Sequence, residues 1–253
     1  MREVRRLVGK RFELHSRGPE DPLAVEAREL EQQVFLERFA SNTPDLMAAE
    51  YGPYEDASRY IVVIDREHAE GPKVSGMIRI IADGPAGFKS INDLGRDPWN
   101  VPLEEVISGD PQLRAIYDPD KTWDIATLAI ASEYRASRST EGAQTSLALF
   151  HCLCREAIAN GKECGVTVLD DIVLNQVIQP LGHAFERYAD PRLGSREYLD
   201  SPGSTPMYCD FLDFRDRVRR EQPDVFAALF EGRDIEDFAG HSAFEAGRLG
   251  SAG

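Results

Sequence analysis

The stretch that decides the fold covers residues 122–161 and reads TWDIATLAIASEYRASRSTEGAQTSLALFHCLCREAIANG. Its opening, TWDIATLAI, sets large apolar residues among small ones and predicts a buried strand. A polar loop over residues 132–141 comes next. From residue 143 onward apolar residues recur at helical spacing, and Gly161 is a typical helix stop. In a strand, turn and helix of this order, the free N–H groups at the helix start can face a phosphate.

The composition is that of an ordinary soluble globular protein and excludes several functional classes. Of the 253 residues, 42% are hydrophobic and 29% are charged, which suffices for a full core. With 29 Lys and Arg against 44 Asp and Glu, the net charge is −15. A general nucleic-acid binder needs clustered cations, so we expect no nucleic-acid partner. An acidic protein partner such as an acyl carrier protein would need a local basic patch for docking.

The sequence contains no apolar run of about 18 residues, so we expect no membrane partner. The basic N-terminal segment lacks the apolar core of a signal peptide, which favours a cytoplasmic location. The chain has four cysteines, and their spacing is not that of metal ligands, so we expect reduced thiols and no metal. They are Cys152, Cys154, Cys164 and Cys209.

The first half of the chain predicts a helix followed by a hairpin. Asp21 and the proline after it are typical of a helix start, and one apolar stripe extends the helix over residues 22–39. We interpret residues 41–54 as an irregular loop. Residues 60–65 (YIVVID) and 73–82 (KVSGMIRIIA) predict two antiparallel strands joined by a turn.

The second half predicts a strand at residues 165–169 and a short helix at 172–179, and later segments alternate as edge strands or loops do. Those segments are 184–188, 197–199 and 206–214. We divide the chain into an N-terminal extension (1–20) with a short strand at residues 10–15, a main domain (21–214), and a C-terminal helical extension and tail (215–253). The order of elements predicts an α/β protein of the α+β type, with a mixed, mostly antiparallel sheet flanked by helices.

Two short motifs in the deciding stretch resemble the strand-and-turn signature of the GNAT acyltransferase superfamily. They are Leu128-Ala129-Ile130 and Glu133-Tyr134-Arg135. The resemblance implies that the backbone of Leu128, Ala129 and Ile130 pairs with the pantetheine arm of an acyl thioester, as acyl-CoA or acyl-phosphopantetheine. It further implies a phosphate site on the turn and the helix start, and an asparagine near the coenzyme arm. The residues at these positions are Arg135, Arg138, Gly142, Ala143 and Asn175.

A second resemblance, over about residues 25–212, is to the acyl-homoserine-lactone (autoinducer) synthases and the N-acyl amino acid synthases. It rests on VFLERF (34–39), EYGPYEDASRYIVVID (50–65) and SGMIRI (75–80). It implies that Glu55 and Arg79 contact the acceptor. Asp124 stands where those synthases carry a strand glutamate. Thr127 stands where they carry an arginine, and the turn after Arg135 is longer than in the superfamily.

Aminolysis of a thioester needs a base for the ammonium proton, and Asp124 and Glu133 at the ends of the central strand are the candidates. Either could instead be a capping or solvated carboxylate. Arg79 lies on an otherwise apolar strand, where an unpaired charge is costly, so it either clamps a substrate carboxylate or forms an internal ion pair. Arg135 suits a phosphate or a surface turn.

Residues 83–120 form a long segment rich in Gly, Pro, Asp and Asn with weak helical periodicity. A loop of this length is usually functional. We expect it to cover the sheet and wall the acyl or acceptor pocket, with Phe88, Trp99 and Tyr117 facing inward. Trp99 is therefore a candidate substrate-binding residue.

Together these observations predict an N-acyltransferase. It would move an acyl group from a carrier protein or coenzyme A to the amine of a small acceptor, which the second resemblance indicates is an amino acid. Two alternatives remain at this stage. One is a coenzyme-A-dependent acetyltransferase of another amine, and the other is an inert GNAT-like domain that binds an acyl thioester.

Overall fold

A nine-stranded sheet forms the centre of the protein in the computed structural model, with strand order β1-β2-β3-β4-β5-β6-β9-β7 and β8 paired to β9. The structure describes residues 4–8, 10–135, 140–178, 181–182, 184–233 and 235. The strands are β1 (Val4–Val8), β2 (Phe12–Arg17), β3 (Ser58–Asp65), β4 (Lys73–Ile81), β5 (Thr122–Ile130), β6 (Cys164–Asp170), β7 (Glu186–Arg187), β8 (Arg196–Tyr198) and β9 (Ser201–Asp210). All pairs are antiparallel except β5 with β6.

The helices are α1 (Pro22–Arg38), α2 (Pro44–Tyr51), α3 (Lys89–Leu94), α4 (Leu103–Gly109), α5 (Pro111–Ile116), α6 (Ser132–Arg135), α7 (Thr140–Ala159), α8 (Asp171–Val173), α9 (Phe211–Glu221) and α10 (Pro223–Phe226). Short 3₁₀ turns cover Gly52–Ala57, Pro119–Lys121 and Pro191–Leu193, and π-helical turns cover Leu174–Ile178 and Ala227–Glu231. This confirms the predicted mixed, mostly antiparallel sheet flanked by helices. None of the helices in the described part is long and apolar enough to cross a bilayer.

Elements with a strong local pattern form where the sequence predicts them. The side chain of Asp21 caps α1 by accepting a hydrogen bond from the Leu23 N–H at 2.8 Å. Strands β3 and β4 form the predicted hairpin. Helix α7 is followed by Gly161, whose φ of +65° lies in the left-handed region that glycine adopts at little cost.

Two local predictions are wrong. Residues 41–54 are not an irregular loop, because α2 begins there with Thr43 as its N-cap and Pro44 in its first turn. The last predicted edge segment, 206–214, changes from strand to helix at Phe211, where the Asp210 side chain accepts the N–H groups of the first turn of α9. Both errors have one cause. A capping residue at a helix start overrides a weak or alternating apolar pattern.

The predicted short strand near the N-terminus is β2, and its pairing with β3 makes it part of the main sheet. Helix α9 crosses the predicted boundary at residue 214. The division into an extension, a domain and a tail stays a prediction, and residues 236–253 of the tail lie outside the described residues.

Three apolar clusters hold the layers together. The largest packs α7 and the C-terminal helices on one face of the sheet. Helix α7 approaches β4 closely at Gly76, where an added Cβ would lie 2.9 Å from the Leu149 side chain. The second cluster joins α3–α5 to β6 and β9, and the third joins α1 to β3, β4 and β5. Helix α1 and the segment 83–120 are thereby fixed beside the central strands.

Candidate active site

The central strands β5 and β6 are paired over only part of their length. Their parallel ladder contains three pairs, from Thr122 with Cys164 to Asp124 with Val166, although both strands continue and are described throughout. On the other side of β5, the register with β4 shifts so that Ala126 is an extra residue. Such a bulge bends a strand and increases its twist. The bend lies directly after the last β5–β6 pair, so the two strands separate beyond it.

Within the described residues, the separated part of β5 directs backbone groups that lack a strand partner into this gap. The Ala131 N–H donates to the Ser75 carbonyl of the β4 side at 3.0 Å. In an antiparallel ladder, alternate residues direct their N–H and C=O groups to the same neighbour, so Leu128 and Ile130 direct theirs away from β4. These are two of the three residues that the resemblance places against a pantetheine arm, and Ala129 lies between them. An extended amide-containing chain could add to β5 here as a strand would.

The start of α7 lies after β5 and α6, as the predicted phosphate site requires. Gly142 and Ala143 are half-buried in its first turn, and the Ser146 hydroxyl donates to the Gly142 carbonyl at 3.0 Å. The start of an α-helix is a common site for an anion, because its first N–H groups have no partner within the helix itself. Arg138 lies outside the described residues.

The polar side chains of α6 have partners on neighbouring elements. Arg135 donates from Nη2 to Glu37 of α1 at 2.5 Å, while its Nε is buried with no hydrogen-bond partner among the described residues. Glu133 forms an ion pair with Lys73 of β4. Partial burial by itself raises the pKa of Glu133, but the hydrogen bond from Lys73 holds that pKa below its ordinary value. Glu133 is therefore ionised at neutral pH.

Asp124 is fully buried and is bound to the segment 83–120. Its Oδ2 accepts the Ser90 N–H at 2.7 Å and its Oδ1 accepts the Ser90 hydroxyl at 2.6 Å. Burial raises the pKa of Asp124 to about 6, against which the two hydrogen bonds act. These contacts describe a cap on the first turn of α3. The catalytic role of Asp124 stays a prediction.

The segment 83–120 covers one face of the sheet, and its aromatic residues face inward. Phe88 and Trp99 are buried and Tyr117 is half-buried in the cluster against β6 and β9. The Trp99 indole N–H donates to the Gly194 carbonyl at 3.0 Å, and its ring lies 5.0 Å from that of Tyr198. Trp99 thus packs inside the second apolar cluster. Its contact with substrate stays a prediction.

Asn175 lies in the π-helical turn after β6. Its Nδ2 donates to the Asp171 carbonyl at 2.7 Å, and the side chain is exposed. This position follows the end of β6, the strand across the gap from β5. Its predicted contact with the coenzyme arm is untested.

Arg79 occupies the centre of an ionic network on the α1 side of the sheet. Its Nε and Nη2 donate to the two oxygens of Glu31 at 3.0 and 2.6 Å, and its Nη1 donates to Glu55 at 2.9 Å. Burial alone lowers the pKa of Arg79, but Glu31 beside it raises that pKa above its ordinary value. Of the two roles that the sequence allows for Arg79, these contacts describe the internal ion pair. Its predicted contact with the acceptor stays a prediction.

Glu31 is the member of this ionic network that the sequence did not indicate. It is buried on α1 and accepts a hydrogen bond from Thr127 of β5, which lies directly opposite Arg79 in the β4–β5 register. Glu31 therefore joins the helix to both strands. The pattern that could have found it is its position four residues after Ala27 and three before Val34, inside the apolar stripe of α1.

Glu55 is the second carboxylate of the network and lies at its solvent side. It accepts hydrogen bonds from the Tyr60 hydroxyl at 2.9 and 3.0 Å and forms an ion pair with Arg28 of α1. The predicted acceptor residues Glu55 and Arg79 are thus in direct contact. The structure brings them together with Glu31 and Thr127.

A cavity of about 500 Å³ lies between α1, α2 and the turn Gly52–Ala57. Arg79, Glu31 and Glu55 form part of its wall. A volume of this size is typical of small-molecule sites. Within the described residues there is no cluster of three His, Cys, Asp or Glu side chains that could hold a metal ion.

The separated β5–β6 pair, the helix that follows it and the flanking antiparallel strands define the fold of the GNAT acyltransferases, so the fold that the resemblance implied is confirmed. Two solved structures share it over nearly their whole lengths. FeeM, an N-acyl amino acid synthase from uncultured soil microbes, has a TM-score of 0.53 at 13% identity and is matched over 87% of this chain and 96% of its own. The AHL synthase LasI has a TM-score of 0.51 at 16% identity, over 87% and 94%. No family model and no curated protein matches the sequence.

Proposed function

We propose that this chain is an N-acyltransferase that moves an acyl group from a thioester, carried by coenzyme A or a carrier protein, to the amine of a small acceptor. The observation that carries the proposal is the gap between β5 and β6, into which Leu128 and Ile130 direct backbone groups that lack a strand partner within the described residues. A pantetheine arm has two amides that can pair with such groups. The start of α7 beyond the gap suits its phosphate.

The reaction requires few groups from the protein. The neutral amine attacks the thioester carbonyl, a C–N bond forms, and the C–S bond breaks. The nitrogen loses one proton and the departing thiolate takes one up. Asp124 and Glu133 remain the candidate bases, and because their oxygens already bind Ser90 and Lys73, each would act through water.

Likeness to FeeM, an N-acyl amino acid synthase, supports an amino acid as the acceptor. The cavity beside Arg79 is the place for it, because it opens on the α1 side of the same strands. A coenzyme-A-dependent acetyltransferase and an inert thioester-binding domain remain the alternatives.

Turnover of radiolabelled acyl thioesters tests the proposal. We would supply acyl-CoA and acyl-carrier-protein donors of several chain lengths with a panel of free amino acids and simple amines, and identify the labelled amides by mass. Long-chain transfer supports the proposal, and transfer from acetyl-CoA alone indicates the acetyltransferase. Donor binding without transfer to any amine indicates the inert domain.

A proline at position 130 provides a matched structural test. The Ile130 N–H is directed into the gap and away from β4, so Ile130→Pro removes a donor to the pantetheine arm without breaking a ladder bond. We expect a folded variant with donor affinity lowered about tenfold. Ala129→Pro is the control, because it removes a bond to β4 and should unfold this edge of β5.

A further inference from the structure

The cavity beside Arg79 is unusually acidic for a site that would hold an amino acid carboxylate. Six side chains that are charged at neutral pH line it, four glutamate carboxylates and two arginine guanidinium groups. They are Glu20, Glu29, Glu31, Glu55, Arg28 and Arg79. With every group ionised, the lining therefore carries an excess of two negative charges.

Both cations are already bound by the protein. Arg79 uses its Nε, Nη1 and Nη2 on Glu31 and Glu55. Its Nη1 also lies 3.4 Å from the Ser58 hydroxyl. Arg28 donates from Nη1 to Glu55 and, at 3.0 Å, to the Pro19 carbonyl. A ligand carboxylate would have to displace the buried Glu31 carboxylate in order to form a bidentate contact with Arg79.

The carboxylates at the mouth of the cavity are unlike those inside it. Glu20 and Glu29 are exposed, and neither has an ion-pair partner in the described part of the chain. Val25 and Gln32, which also line the cavity, are neutral. A ligand that enters here meets uncompensated negative charge, which attracts a cation and repels an anion.

The inner end of the cavity adjoins the strand proposed to hold the donor. Glu31 lines the cavity and accepts a hydrogen bond from Thr127, and the residue after Thr127 is Leu128, where the backbone groups of β5 that face the gap begin. A ligand that extends from the mouth to this wall has its two ends near different groups. One end lies at Glu20 and Glu29, and the other lies near the gap.

We propose that the cavity binds the acceptor and selects one with a net positive charge, in which a second cationic nitrogen accompanies the amine to be acylated. This rests on the proposed function. The second cation lies at Glu20 and Glu29 and directs the reacting amine toward Thr127. Diamines and basic amino acids have this chemistry, and acidic and neutral amino acids do not.

Binding of matched probes to the full chain, without any thioester, tests this selection. Calorimetry would compare 1,4-diaminobutane with 1-aminobutane, and ornithine with norvaline and glutamate. We expect the member of each set with the additional cationic nitrogen, 1,4-diaminobutane or ornithine, to bind about tenfold more tightly, with a preference that weakens as salt is added. Equal affinities, a preference for glutamate, or no binding of any probe would overturn the proposal. Comparison of the affinities for 1,4-diaminobutane and ornithine shows whether the acceptor is a diamine or a basic amino acid.

Two variants connect the preference to the cavity mouth. The double change Glu20→Gln and Glu29→Gln should lower affinity for 1,4-diaminobutane about tenfold and affinity for the monocation 1-aminobutane by a smaller factor. Glu104→Gln, an exposed carboxylate on α4 away from the cavity, is the matched control and should change neither. An equal loss in both variants would show a general charge effect and overturn the assignment. A chain that prefers the diamine and transfers no acyl group would refute the proposed function alone.

Discussion

The carboxylate of Asp124 on β5 accepts both the backbone N–H and the hydroxyl of Ser90 on α3. This contact fixes the segment 83–120 to the central strand. It also places a fully buried carboxylate at the base of the gap between β5 and β6. Its ionisation is therefore linked to the stability of the protein.

We expect Asp124→Asn to stabilise the protein at neutral pH. Burial raises the pKa of Asp124 from 3.8 to about 6, so the folded state binds the proton more tightly. Stability therefore falls as pH rises between about 4 and 6 and stays lowered above that range. Asparagine accepts the Ser90 N–H without a charge, so its advantage should reach about 3 kcal/mol at pH 7.5 and shrink toward pH 4. Denaturant unfolding at both pH values measures it.

Activity separates the two roles of Asp124. If it acts only as a cap, Asp124→Asn retains acyl transfer, whereas a base would be lost with the carboxylate. Ser90→Ala is the companion variant and should lower stability more at pH 7.5 than at pH 4.5, because the hydroxyl binds the charged form. A variant Asp124→Asn that is less stable than the original chain at neutral pH would contradict the cost assigned to burial.

Removal of Arg79 should be strongly destabilising. Arg79→Met leaves Glu31 buried without its fork partner, which typically costs about 3–5 kcal/mol. The double change Arg79→Met with Glu31→Leu removes both charges and should recover more than half of the loss. Thermal and denaturant unfolding of Arg79→Met, of Glu31→Leu and of the double variant completes a double-mutant cycle. Additive losses would show that the two side chains are independent.

Arg79→Lys tests the alternative that Arg79 holds a substrate carboxylate. Lysine keeps the charge but not the planar fork. If Arg79 only forms an internal ion pair, Arg79→Lys should lower the Tm and leave the ratio of the acceptor and donor KM values unchanged. If Arg79 binds the carboxylate of the acceptor, the same substitution should raise the KM for the acceptor and not the KM for the donor. From its contacts with Glu31 and Glu55 we expect the first result.

How far the sequence predicts the structure depends on the distance between interacting residues. Helices α1 and α7 and the β3–β4 hairpin follow from apolar periodicity, caps and turns that are local in the chain. The contacts of Arg79 with Glu31 and of Asp124 with Ser90 join residues more than thirty positions apart. The partner of a charged residue on an apolar strand cannot be identified from a single sequence. The sequence can predict that a partner or a cleft exists, as it does for Arg79.

The four cysteines should be unreactive in the folded protein. All four are buried as free thiols. Burial raises the pKa of Cys154 and of Cys164 to about 12, and the thiolate is the reactive form. We expect no labelling by a disulfide reagent at pH 8 within minutes, and four labelled thiols per chain in denaturant. Rapid labelling of the native chain would show that the apolar clusters around these cysteines open readily.

Arg135 should bind the donor phosphate. Its Nη2 contacts Glu37, but its Nε is buried without a hydrogen-bond partner in the described part of the chain, so we expect the guanidinium to keep donors for an anion at the start of α7. Arg135→Ala should weaken thioester binding by about 1.5–3 kcal/mol, the usual worth of a charge-assisted hydrogen bond. Calorimetry with coenzyme A measures this change. Glu37→Gln is the control and should leave affinity equal or higher, because it frees Arg135. If coenzyme A binds Arg135→Ala as tightly as the original chain, and Glu37→Gln no more tightly, Arg135 does not contact the phosphate. Its role would then be only to connect α6 to α1.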